Sequence, residues 1–160
     1  MKAVEGIGSI RGVELVALSS LFETEPVGFD SRNLFLNGVL AVEISDEIPP
    51  SRLMVRLLDI EQGLGRDRAA GMDRTIDLDL LFIEGISLDE PGPPQLTLPH
   101  PHIAERVFVL APWAEIAPGI IPFPGLGSVA ELLKGHPDTQ GRLERRTRPV
   151  LYRSHPEIDL

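Results

Sequence analysis

The sequence predicts an α+β fold built on a mostly antiparallel sheet. Three observations lead there. Apolar residues alternate with a period of two in neighbouring segments joined by a Pro/Gly loop, which reads as a hairpin. A later segment carries leucines at helical spacing behind a proline pair. Strand-like and helix-like segments then interleave. In 160 residues with no internal repeat, one domain is the default.

Residues 13–23 hold Val13, Leu15, Ala17 and Leu21 with little turn chemistry and read as a strand. Glu25 to Ser31 is a loop punctuated by Pro26 and Gly28. Leu34 to Ile44 reads as a second strand, with Leu36, Leu40, Val42 and Ile44 mostly in one register. Pro49-Pro50-Ser51 opens a helix in which Leu53, Met54, Leu57, Leu58 and Leu64 recur, and Gly63 or Gly65 ends it. After the polar loop Arg66 to Arg74, Thr75 to Ile83 is a third strand, and Asp89 to Gln95 a Pro/Gly-rich loop. A helix is expected over Pro101 to Leu110, irregular chain over Pro112 to Pro124, and a short helix over Ser128 to Leu133 with Ser128 as its cap. Gly141 to Leu160 contains Arg142, Arg145, Arg146, Arg148 and Arg153 and reads as a solvated or frayed tail. The domain is therefore placed at 1–140 and the arginine-rich tail at 141–160.

Composition narrows the function. There is no cysteine, which excludes disulfides, thiolate chemistry and Cys-based zinc sites. No apolar run approaches a membrane span, and the first residues lack the apolar stretch of a signal peptide, so a cytoplasmic protein with no membrane partner is expected. A formal net charge of −9 argues against a nucleic-acid partner. It leaves room for an anionic small substrate, because clustered arginines hold phosphate inside an acidic protein.

Arg74-Thr75-Ile76-Asp77-Leu78-Asp79-Leu80-Leu81 carries the sharpest chemical signal. In a strand, Asp77 and Asp79 share one face while Ile76, Leu78 and Leu80 share the other. Two carboxylates roughly 7 Å apart repel unless positive charge sits between them. Magnesium fits, since it takes one or two carboxylates plus substrate phosphates. An ordinary solvated strand face shows the same pattern. Arg66, Arg68 and Arg74 bracket the preceding loop and add what a phosphoryl-type transfer needs, positioning and positive charge. Further on, His100 stands between Pro99 and Pro101, either a rigidly held ligand or a plain turn histidine.

Six elements in order resemble the 6-hydroxymethyl-7,8-dihydropterin pyrophosphokinase family. Ser19-Ser20-Leu21-Phe22-Glu23-Thr24-Glu25-Pro26-Val27-Gly28 comes first, followed by Phe35-Leu36-Asn37. Glu61 then leads to Gly65-Arg66-Asp67-Arg68, and Arg74 leads to Asp77-Leu78-Asp79-Leu80-Leu81. Pro99-His100-Pro101 precedes Arg106-Val107-Phe108-Val109-Leu110-Ala111-Pro112 with Glu115-Ile116-Ala117-Pro118. The resemblance implies a ferredoxin-like fold and transfer of pyrophosphate from ATP to the pterin alcohol in folate synthesis. Thr24 and the backbone near Val27 would recognise the pterin edge, Asn37 would read the same ring, and Phe35 and Phe108 would stack on it. Asp77 and Asp79 would hold two Mg2+ ions. Glu61, Leu96, Thr97, His100 and Arg106 would bind ATP, and Arg66, Arg68 and Arg74 would close over the triphosphate.

The chain departs from the family pattern twice. Gly71-Met72-Asp73-Arg74 stands where the family has Trp-Gly-Pro-Arg. The family also opens with a strand, a Gly-rich turn and a helix. Gly8-Ser9-Ile10-Arg11-Gly12 imitates that turn, but too near Ser19 for a helix to intervene. Residues 1–8 read as the end of that helix, and roughly twenty further residues are expected upstream of Met1. Two rivals remain at this level: a metal-dependent nucleotide-sugar transferase or phosphohydrolase, and a catalytically impaired pterin- or nucleotide-binding protein.

Overall fold

The computed structural model describes residues 2–25, 34–65, 76–137, 143–158 and 160. Antiparallel pairings and four α-helices among the described residues make an α+β fold. The chain forms two compact units, residues 1–15 with 42–100 and residues 16–41 with 101–160.

In the first unit, helix α1 spans Lys2–Gly8, in keeping with the helical reading of residues 1–8. It packs on helix α2, Pro50–Gly63, closely enough that a Cβ on Gly6 would lie 3.2 Å from the Ile60 side chain. Helix α2 starts as its prolines dictate. Pro49 is the N-cap and Pro50 opens the first turn, where no N–H is needed. Leu53, Leu57 and Glu61 recur every four residues and form its buried stripe. Gly12 turns the chain from α1 into β1, Val13–Leu18, with φ +86° and no room for a side chain against Ile48. Strands β5, Leu88–Glu90, and β6, Leu96–Leu98, form an antiparallel hairpin that takes in the start of the expected 89–95 loop.

Both long predicted strands break in two. Strand β1 gives way to β2, Phe22–Thr24, and β3, Phe35–Asn37, gives way to β4, Leu40–Ile44. The breaks meet at Ser19 and Val39. The Ser19 N–H donates to the Val39 carbonyl at 2.9 Å, and the Ser19 hydroxyl accepts the Val39 N–H at 2.9 Å. A hydroxyl thus stands in for a main-chain acceptor. A Cβ on Gly38 would lie 2.9 Å from Leu21, so only glycine fits there unmoved. In the sequence the even spacing of Leu36, Leu40, Val42 and Ile44 runs through the break, although Leu36 is exposed in β3, which is why one strand is read where there are two.

As a result β1 and β2 enter different sheets, of order β4-β1-β8 and β3-β2-β7. The outer strands β7, Leu143–Arg145, and β8, Val150–Leu151, come from the segment read as a solvated tail. That reading is corrected: β7 pairs antiparallel with β2, and β8 with β1. Strands of two and three residues are too short for periodicity to register, and their pairing is a main-chain matter.

The third predicted strand is also corrected. Residues 76–83 join no ladder, and Thr75 lies outside the described residues. The alternation nevertheless holds: Ile76, Leu78 and Leu80 are half-buried, while Asp77 and Asp79 are exposed. The Leu81 carbonyl accepts the His100 N–H at 2.7 Å, and the Leu78 N–H goes to a side chain described below.

In the second unit, a 3-10 turn over Ile103–Glu105 precedes helix α3, Val107–Ile116. The helix expected at 101–110 therefore starts later and runs through Pro112, where irregular chain was expected. Pro112 removes one helical hydrogen bond. Burial of Val109, Leu110, Trp113 and Ile116 on the same helix outweighs that cost. Helix α4, Val129–Gly135, packs against α3 and is capped by Ser128 as expected. No helix among the described residues is long and apolar enough to cross a membrane.

The α4 cap has a pH signature. Hydrogen bonds from the Ser128 N–H and hydroxyl hold the Glu131 carboxyl below its ordinary value. A lowered folded value stabilises the fold above the unfolded carboxyl pKa, and that stabilisation is lost as pH falls through the folded value. Ser128→Ala is expected to cost about 1 kcal/mol near neutral pH. In urea denaturation the gap between variant and parent should narrow below about pH 4.

Candidate active site

Glu61 continues the Leu53–Leu57 stripe of α2 and is 1 % exposed. A carboxylate there needs a donor to offset its desolvation. Its Oε1 accepts the N–H of Leu78 at 2.6 Å. Leu78 is the residue between the two aspartates, so this bond fixes the backbone at the centre of the pair. With Leu78 half-buried between them, Asp77 and Asp79 are both exposed. Two exposed hard-oxygen donors suit magnesium, which fills its other positions with water and phosphate oxygen. Among the described residues no three Asp, Glu, His or Cys side chains gather to hold an ion by themselves. Such an ion would need substrate oxygens to complete its shell.

The other nucleotide-assigned residues of this unit lie on and just after β6. The His100 main chain is tied to Leu81, two residues beyond Asp79. The Thr97 hydroxyl donates to Asp89 at 2.8 Å across the β5–β6 hairpin. Leu96 is a core residue, 4 % exposed.

In the second unit, Thr24 and Asn37 meet on the neighbouring strands β2 and β3. The Asn37 Nδ2 donates to Thr24 Oγ1 at 2.7 Å. That bond engages one of the two amide N–H groups of Asn37. Phe35 sits opposite Thr24 in the ladder, and Phe108 lies on α3, an element in contact with β3. Both rings are half-buried. The Arg106 guanidinium lies 5.8 Å from the Phe108 ring centroid. Arg106 and Phe108, assigned to different substrates from the sequence, are therefore neighbours. Val27, Arg66, Arg68 and Arg74 lie outside the described residues, as do Gly71, Met72 and Asp73.

Sequence reasoning missed one link in this unit. The Ser20 N–H and hydroxyl both donate to the Glu115 carboxylate, at 2.5 and 2.8 Å. Both residues stood in recognised motifs, but a separation of 95 residues left no local pattern to join them.

One unit thus carries an outward-facing acidic pair, and the other a polar pair with Phe35 across the ladder from Thr24. A family model described as 7,8-dihydro-6-hydroxymethylpterin-pyrophosphokinase (HPPK) matches residues 1–118, and the chain belongs to that family. It is similar to the 2-amino-4-hydroxy-6-hydroxymethyldihydropteridine pyrophosphokinase of Methylorubrum extorquens, 40% identical over 120 residues, 74% of this chain and 73% of that protein. The Bacillus subtilis protein of the same name is 42% identical over 116 residues, 72% of this chain and 66% of that protein. The one from Pseudomonas aeruginosa is 35% identical over 120 residues, 74% of this chain and 70% of that protein. Neither rival reading is favoured by these relatives.

The Glu61 bond gives a direct test of how the acidic pair is held. Glu61→Ala should lower unfolding stability by about 1–3 kcal/mol, because it strands a half-buried N–H. Glu61→Gln keeps an acceptor oxygen and should cost less. Equal losses in urea denaturation would mean that the bond to Leu78 is not what Glu61 supplies.

Proposed function

We propose that this chain transfers the pyrophosphoryl group of ATP to the hydroxyl of 6-hydroxymethyl-7,8-dihydropterin, giving the pterin diphosphate and AMP in folate synthesis. The observation that carries the proposal is the Asp77–Leu78–Asp79 segment, pinned by a buried glutamate so that both carboxylates face outward, in a chain of the pyrophosphokinase family.

Asp77 and Asp79 would hold magnesium, two ions in this reading, which supplies positive charge to the triphosphate oxygens. Glu61 keeps those two side chains aimed. His100 and Arg106 bind phosphate oxygens, and the chain around Leu96 and Thr97 lies by the nucleotide. Arg66, Arg68 and Arg74 add charge where it develops on the transferring group. The Thr24–Asn37 pair reads the donor and acceptor edge of the pterin with the Val27 main chain, and Phe35 and Phe108 offer their faces to the ring. The pterin hydroxyl oxygen attacks the β-phosphorus. The bond from that phosphorus to the oxygen bridging it to the α-phosphate breaks, and AMP leaves with the electron pair. The hydroxyl proton passes to solvent.

With ATP, magnesium and the pterin alcohol, AMP is expected only when the pterin is present. ADP or free phosphate in its place would favour a phosphohydrolase, and pterin binding without AMP an inactive binder. Asp77→Ala and Asp79→Ala should each abolish AMP formation with the circular dichroism spectrum unchanged; turnover in both would remove the metal assignment. Asn37→Ala should weaken pterin binding by about 1–3 kcal/mol, read by calorimetry. An unaltered dissociation constant would take Asn37 out of the site.

A further inference from the structure

We propose that the C-terminal segment 143–147 is a working part of the pterin-binding half: it holds β2, and through β2 the Thr24–Asn37 pair, in ligand-reading position. The proposal rests on the pterin assignment made above. Residues beyond 118 lie outside the family match, so no role for this segment comes with it.

Strand β2 has three residues, and a two-stranded ribbon of that length is marginal in water. Strand β3 covers one edge, and β7 covers the other with Phe22 opposite Arg145, Glu23 opposite Glu144 and Thr24 opposite Leu143. Thr24 thus lies on the central strand of three. Just ahead of β2, the segment takes both main-chain groups of Leu21. Its N–H donates to Thr147 Oγ1 at 2.8 Å, and its carbonyl accepts the Arg146 N–H at 2.8 Å.

Side chains add to the same strand. The Arg145 guanidinium lies 5.7 Å from the Phe22 ring centroid and 3.3 Å from the Glu115 carboxylate that holds Ser20. Arg146 pairs with Glu23 and, at 2.7 Å, with Glu144. These exposed ion pairs contribute little each. The holding force is the main-chain ladder. A ligand edge is read only when its donors and acceptors are placed within fractions of an ångström. A β2 with one open edge would lose that placement.

The alternation of an antiparallel ladder assigns the bond next to Arg146–Leu21 to the Glu144 N–H. Glu144→Pro deletes that donor, whereas Glu144→Ala deletes only the side chain. Calorimetry with the pterin alcohol, and separately with magnesium and a non-hydrolysable ATP analogue, compares the two on the full chain. Glu144→Pro is expected to raise the pterin Kd at least tenfold, and deletion of residues 143–160 to do the same. Glu144→Ala should stay within twofold, and the nucleotide Kd should stay within twofold in every variant. Amide exchange across residues 20–25 should lose protection in Glu144→Pro alone of the two substitutions. An unchanged pterin Kd in Glu144→Pro and in the deletion overturns the proposal. Parallel loss of pterin and nucleotide binding overturns it too, since the segment would then be a general stabiliser. A parent chain that binds nucleotide but no pterin brings down the pterin reading itself, and this inference with it.

Discussion

Among the described residues no strand takes the Leu78 N–H; a buried carboxylate takes it in place of one. In a regular sheet the ladder sets which way each side chain faces. Here a helix sets it. Glu61 stands where the Leu53–Leu57 stripe calls for a fourth-residue repeat, and its carboxyl oxygen meets the main-chain donor of Leu78, between the two aspartates. A one-residue slip of that segment would offer Glu61 a different N–H and turn both aspartates inward. Bringing a carboxylate into a nearly dry position is costly. Two carboxylates facing outward together are what that placement secures.

The second unit meets the same constraint with different groups. Where β1 ends and β2 begins, ladder partners are replaced by the Ser19 hydroxyl, the Glu115 carboxylate and the Thr147 hydroxyl. Each takes a main-chain N–H that a regular strand would have satisfied. The break redirects β2 into its own sheet, and that sheet carries Thr24 and Asn37.

Much of this was legible in the sequence, but unevenly. The proline start of α2, the Ser128 cap and the outward pairing of Asp77 with Asp79 are local signals, decided within a few residues, and they emerge as expected. The breaks at Ser19 and Gly38 were invisible because apolar residues keep an even spacing through them in the sequence, whichever sheet each strand joins. Helix α3 ran past Pro112 because burial of its apolar face overrode a local breaker. Strand β7 was missed because its glutamate and arginine look like solvated chain, and β8 because two residues are too few to show a period. The role of Glu61 was recoverable in principle: its spacing of four from Leu57 puts a charge on the buried stripe, and a charge there demands a partner. No spacing rule could supply the partner's identity.

The arginines divide along the same line. In a chain of net charge −9 an arginine-rich end invites a phosphate-binding reading. Arg145 and Arg146 instead face Glu115, Glu23 and Glu144, carboxylates of the same unit. The Glu23 hydrogen bond raises the Arg146 guanidinium further above its ordinary value, as expected of a charge held by an opposite charge. An arginine committed in this way is a poor phosphate ligand, because binding an anion would require breaking a charge-assisted pair. In the proposed reaction the guanidiniums assigned to the triphosphate are others, Arg66, Arg68, Arg74 and Arg106. Local charge pairing, more than arginine count, marks Arg145 and Arg146 as guanidiniums that build the fold.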